Sequence, residues 1–238
     1  FSGSAVVRSP LPITAVVNRV IYSGSVEIAD GADVQAAQAP PASGGAFPVA
    51  AGPGTPQQTV PVAFGGYHGY STTISVQNTT NAPATYAVTL FPTGFAAPVQ
   101  TINRVVPPYA ATRVRLAPEN GVPPDFVGTA VVNGNGATMV VASETIHVQT
   151  HVLLSYSGFQ SGANVMNAPL LFKNYNDWVS GAQVVNVSSG PVTVQAQIFQ
   201  RDVPGSLNLP PRPLGPNESY TYYLPAEARL PDDFVGSA

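Results

Sequence analysis

The chain has 238 residues, 44% of them hydrophobic, so it can bury a core and is too apolar for wholesale disorder. Charged residues reach only 9% and the net charge is −3, where ordinary soluble domains carry roughly 25% charged residues; this excludes a basic footprint for nucleic acid or anionic lipid. With no cysteine there are no disulfides or thiolate metal sites, and no apolar run approaches the roughly 18 residues of a membrane span.

In chain order, residues 1–28 open on "FSGSAVVRSPLPITAVV", two short apolar stretches. The first residue is Phe rather than Met, so a removed leader or a longer parent chain is expected. Residues 29–61 are low-complexity Ala, Pro, Gly and Gln, the composition of a linker or a surface-hugging arm. From residue 62 the pattern alternates with period two, as half-buried strands require. In "ATYAVTLF", Tyr86, Val88 and Leu90 alternate with Thr85, Ala87 and Thr89. Strands are expected near 62–67, 71–79, 84–92, 99–106, 111–117, 127–133 and 137–156, the last long enough to bend or split. "APENGV" and "PAEARL" have room for a single helical turn each.

Residues 160–238 repeat what precedes them. An offset of 108 (172 − 64 = 108) joins Phe64 to Phe172, Tyr70 to Trp178, Asn78 to Asn186, Phe91 to Phe199 and Asp125-Phe126 to Asp233-Phe234 without slipping, which is the mark of tandem duplication. A second offset of 125 (126 − 1 = 125) matches the opening "FSGSAVV" to "FVGTAVV" at Phe126, and Val16 to Val141. Residues 62–159 therefore make one complete unit and 160–238 the opening part of another. Residues 1–28 carry its closing strands.

About seven short strands in roughly 100 residues, separated by Pro, Gly and Asn turns, is the pattern of an immunoglobulin-like sandwich, here without the Cys pair. The run from the aromatics through "VQN" to "P-x-x-F-x-G-[ST]-A-V-V" resembles the tandem Ig-like repeats of bacterial surface and filament proteins. The expected fold class is all-β, with two Ig-like β-sandwich repeats, one complete and one split between the chain ends. The resemblance and the Thr/Asn/Gly/Pro-rich composition imply an extracellular or cell-surface structural protein. An adhesin stalk or carbohydrate-binding module stands as the alternative.

A sandwich lacking its closing strands exposes an apolar groove and unpaired backbone N–H and C=O groups. Covering it with about five Val, Ile and Ala residues recovers on the order of 5–8 kcal/mol. Three fillers are open: residues 1–28 of the next molecule, giving a head-to-tail fibre; the same residues closing within one chain; or neighbours in a longer polypeptide. The donor positions are Ala5, Val6, Val7, Ile13, Ala15 and Val17, and the acceptor positions are Val184, Val194, Ala196, Ile198 and Phe234. The expected partners are copies of the chain itself.

No catalytic constellation emerges, and no cofactor or metal is expected. His147 and His151 lie four apart on a strand pattern, roughly 13 Å by the rise per residue, too far for one ion. "NYNDW" (174–178) brings one carboxylate where a calcium loop uses several. Asp125 and Asp233 recur once per unit, as turn residues do. Asn78, Asn186 and Asn217 begin N-x-[ST] sequons, open to glycosylation or to a turn role. Phe91, Phe199 and Tyr223 are expected as packing sites, either on an exposed face between subunits or between sheets or domains.

Overall fold

A computed structural model describes residues 18–23, 26–31, 56–147 and 153–238. Every element among them is a β-strand or a single 3₁₀ turn, so the protein is all-β. The chain divides into two compact units, residues 1–91 with 98–160, and residues 92–97 with 161–238.

The first unit begins with a hairpin of β1 (Asn18–Ser23) and β2 (Val26–Gly31), paired antiparallel from Asn18↔Gly31 to Ser23↔Val26. Its body holds β3 (Gln57–Gly65), β4 (Tyr70–Asn78), β5 (Ala84–Pro92), β6 (Gln100–Val106), β7 (Ala111–Arg115), β8 (Phe126–Asn133), β9 (Met139–His147) and β10 (Leu153–Ser157). Strand β4 is flanked by β7 on one edge and β9 on the other, with β10 beyond β9; β3, β8, β5 and β6 pair in that order. The two groups join at one residue pair, Gly65↔Ser71. Inward residues from both, among them Val60, Ile74, Tyr86, Leu90, Val132 and Val141, form one buried cluster, so the halves of the sheet face each other.

The stretch expected at 29–61 as a linker is entered by strand from both sides, β2 ending at Gly31 and β3 beginning at Gln57. The physical reason is Gln58. Its side chain is buried, donating Nε2–H to the Met139 carbonyl at 2.8 Å and accepting the Val141 N–H on Oε1 at 3.2 Å. The amide thus substitutes for a ladder partner of β9. The long strand expected at 137–156 splits into antiparallel β9 and β10. Single 3₁₀ turns occupy Pro118–Asn120 and Leu224–Ala226.

Strand β3 carries a bulge between Val60 and Ala63. A bulge leaves backbone groups off the ladder, and here side chains take them up. The Thr129 hydroxyl donates to the Pro61 carbonyl at 3.0 Å, while the Tyr156 hydroxyl accepts the Val62 N–H at 2.9 Å and donates to the Val62 carbonyl.

The second unit holds β11 (Leu171–Lys173), β12 (Gly181–Val185), β13 (Val192–Val194), β14 (Gln197–Gln200), β15 (Leu207–Asn208), β16 (Arg212–Leu214), β17 (Ser219–Tyr223) and β18 (Phe234–Ser237). Its pairings follow the first unit at the offset of 108. Thr73↔Arg115 becomes Gly181↔Tyr223, Gly65↔Phe126 becomes Lys173↔Phe234, and Ala84↔Val106 becomes Val192↔Leu214. One place slips. Offset from Thr89↔Thr101, Gln197 would meet Leu209, but it meets Asn208. A one-residue slip exchanges the two faces of a strand, and Leu209 is buried at 4% where Pro210, the counterpart of buried Ile102, is exposed.

Burial pushes the Tyr156 hydroxyl up to about 12 from its ordinary 10. A raised folded-state value means its stabilisation is complete below pH 10 and is lost as pH climbs through about 12. Tyr156→Phe strands both Val62 backbone groups, so denaturant melts at neutral pH should lose about 1–3 kcal/mol. The variant should also lack part of the alkaline decline above pH 10 that the parent shows.

Candidate assembly surface

In the first unit β4 is paired along one edge by β7 and along the whole of the other by β9. Its counterpart β12 pairs with β17, which stands where β7 does; among the described residues no strand stands to β12 as β9 stands to β4. The five acceptor positions come together around one core. Ile198 and Phe234 are buried within it, and Val184, Val194 and Ala196 are partly buried against it. Their counterparts in the first unit, Val76, Tyr86 and Val88, are at most 1% exposed. Exposed apolar side chains flank the same region: Trp178 is 67% exposed and Val179 47%, next to β12, while Val165 and Met166, ahead of β11, are 77% and 68% exposed. Met166 is the counterpart of buried Gln58. The donor positions Ala5, Val6, Val7, Ile13, Ala15 and Val17 lie outside the described residues.

The motif that ends this unit has a steric cause. A Cβ on Gly128 would collide with the Phe91 carbonyl and the Phe126 ring, and one on Gly236 with the Phe199 carbonyl and the Phe234 ring. Phe-x-Gly lets the aromatic fold back onto a strand that passes a neighbour at close range. Phe91 itself is 7% exposed and is a core residue, the inter-sheet one of the two placements expected for it, because it lies against this crossing; Phe199 and Tyr223 are exposed at 43% and 53%.

Two of the three sequons are structural. Asn78 is fully buried, its Nδ2 donating to the carbonyls of Ala82, Val106 and Pro107 at 2.8, 3.0 and 3.1 Å, and its Oδ1 accepting the Thr80 N–H at 2.9 Å. Asn186 repeats this with Gly190, Leu214 and the Ser188 N–H, at 2.8, 3.1 and 2.9 Å. The Thr or Ser of each sequon donates its hydroxyl to the same Oδ1, at 2.7 Å in both units. The nitrogen a glycan would occupy is therefore spent in the folded units. Asn217 sits at φ 61, the left-handed turn position that Tyr109 takes at φ 55 in the first unit.

Left-handed geometry also accounts for the repeated acids and for "NYNDW". Asp125 and Asp233 have φ 54 and 61. Asn174, Asn176 and Asp177 have φ 53, 48 and 65, at the positions that Gly66, His68 and Gly69 occupy in the first unit. Asn and Asp tolerate this region better than other side chains, so the turn demands the composition. His147 stacks edge-on against Tyr70 at 4.6 Å and its Nε2 meets the His68 carbonyl at 3.0 Å, while His151 lies outside the described residues.

Sequence reasoning overlooked Lys173, the single lysine. It is buried at 6%, and its Nζ donates to the carbonyls of Leu230 and Glu227 at 2.7 and 3.1 Å, tying β11 to the loop before β18. Glu227 in that loop is held down to about 2 by hydrogen bonding to the Arg229 guanidinium. A concavity of about 200 Å³ is lined by Leu209, Arg212, Tyr220, Tyr222 and Leu224, with Arg212 4.5 Å over the Tyr220 ring.

No family model and no curated protein matches the chain. Among solved structures, the crystal structure of Thermotoga maritima 1070 is similar over 46% of this chain and 98% of its own, at 17% identity and a TM-score of 0.37.

Asn78→Ala and Asn186→Ala each orphan several buried carbonyls and N–H groups, so each should cost about 2–4 kcal/mol in chemical denaturation. Intact mass and peptide mapping of protein from a glycosylating host should find neither asparagine modified.

Proposed function

We propose that this chain is a structural subunit of an extracellular bacterial filament, fibre or sheath, built of Ig-like β-sandwich repeats and assembled head to tail by strand complementation between neighbouring copies. One observation carries the reading. The second unit keeps the strand register of the first except at β14–β15, yet among the described residues its β12 edge is not taken by a counterpart of β9. Exposed Trp178 and Val179 beside a sheet edge with no second partner strand among the described residues are an aggregation hazard for an isolated domain. For a subunit such an edge is a socket. A head-to-tail contact that does not close on itself propagates into an open fibre, and a chain with only 9% charged residues offers little repulsion to stacking.

The reading is non-enzymatic. The recurring carboxylates Asp125 and Asp233 are accounted for by left-handed turns, and the polar clusters by turn geometry. A second reading, a carbohydrate-binding module of a larger surface protein, draws on the concavity at Arg212, where Tyr220 and Tyr222 offer aromatic walls and the Arg212 Nε and Tyr222 hydroxyl are buried without hydrogen-bond partners. Stacking on sugar rings and hydrogen bonding to hydroxyls are what such a lining suits.

Negative-stain microscopy together with intact mass separates the two. Long filaments of 24.6 kDa chains that fall apart in denaturant are expected, and deletion of residues 1–22 should abolish them. Polymer surviving that deletion overturns strand donation by these residues. Discrete particles that bind polysaccharide, and lose binding on Tyr220→Ala, favour the binding module.

A further inference from the structure

The hairpin at the start of the chain carries a register that identifies its place. Strand β9 pairs with β10 as Ser143↔Tyr156, Thr145↔Leu154 and Ile146↔Leu153, preceded by Ala142↔Ser157. At the offset of 125 these become Asn18↔Gly31, Val20↔Ala29 and Ile21↔Ile28, and those are the pairs β1 and β2 make. The offset was read from the neighbouring "FSGSAVV" and "FVGTAVV"; the hairpin reproduces it in a different observable. A one-residue slip would have given the opposite faces.

Resting on the strand-complementation reading above, we propose that β1 and β2 of one copy dock on the second unit of another copy, in the places that β9 and β10 hold in the first unit. The register follows from the first unit. Tyr70↔His147, Ser71↔Ile146 and Val76↔Val141 transfer to Trp178↔Tyr22, Val179↔Ile21 and Val184↔Val16. The preceding donor segment runs likewise: Gln58↔Val132 transfers to Met166↔Val7. The exposed apolar residues Trp178, Val179 and Met166 thus all lie on the two seams where donor strands enter. That coincidence is what commits the occupant to this chain's own sequence.

The transferred register also sorts the donors by face. In β9, Val141, Ser143 and Thr145 are buried while Val140, Ala142 and Glu144 are not. Under the proposed register Val16 and Val20 would take the core-facing row of the assembled sheet, and Ala15 and Val17 the outer one. Phe1 to Ala5 duplicate what β18 and Ala238 already supply in the second unit, where Ala168 exchanges both backbone hydrogen bonds with Ala238 at 2.7 and 2.9 Å. Donation begins after Ala5, at Val6.

The chain has no cysteine, so a designed pair reports cleanly. Val179→Cys with Ile21→Cys places two thiols opposite each other in the outer row; Val179→Cys with Val20→Cys is the off-register control. Each full-length variant is unfolded in denaturant, refolded, oxidised and run on a non-reducing gel. The expected result is a ladder of linked chains from the first pair and about tenfold less from the second, since one residue of slip turns the thiol to the other face. An internally linked single chain, running fast as a monomer, overturns donation to a second copy. Equal linking in both variants, or none in either, overturns the register. Filaments without the Val179–Ile21 link leave the filament reading standing and remove this one, whereas linked but closed dimers do the reverse.

Discussion

The backbone ladder of β4 is the constraint on which the first unit depends. A strand in the middle of a buried sheet must pair both edges, because each N–H or C=O left dry costs as much as a lost hydrogen bond. Strand β4 meets this with β7 on one side and the full length of β9 on the other. Much of the remaining chemistry serves to finish that ladder where regular pairing fails. Gln58 substitutes an amide for backbone against β9, Tyr156 and Thr129 occupy the groups freed by the β3 bulge, and Asn78 closes the strand end. These are polar groups in an apolar interior, and each is bonded, which is the condition for burying them at all.

What duplicates between the units is this finishing chemistry as much as the strands. The Asn–Thr and Asn–Ser networks match at the offset of 108 in every bond but the Asn78 Nδ2 contact to Pro107, and the Phe64–Tyr67 stack at 6.2 Å recurs as Phe172–Tyr175 at 5.9 Å. Left-handed positions recur too, filled by Gly in one unit and Asn or Asp in the other. The backbone conformation persists while the side chain that permits it changes.

That explains which parts were legible. Alternation in "ATYAVTLF" and the fixed offset reveal the β-class and the repeat, because period and spacing are properties of the sequence alone. Burial of a polar side chain is not. Gln58 sits in a Pro/Gln-rich run and looks like linker until the carbonyl of Met139 comes within reach. A sequon is the same three letters whether its amide is free or donates three hydrogen bonds, as at Asn78.

The departures between the copies carry as much weight as the matches. Elsewhere the exchanges run in both directions of polarity, as with Gly66 to Asn174 within a turn and Thr101 to Leu209. Along the two seams the change runs one way: Gln57-Gln58 becomes Val165-Met166, and Tyr70-Ser71 becomes Trp178-Val179. In the first unit Gln58 is buried and polar; in the second its counterpart is apolar and 68% exposed. Apolar exposure of this kind, gathered beside an edge strand, disfavours a solitary domain. Covered by a strand it becomes core, and the polar replacements would then be the costly choice. On the proposed assembly these substitutions put apolar side chains where an incoming strand covers them, which is where burial makes them favourable.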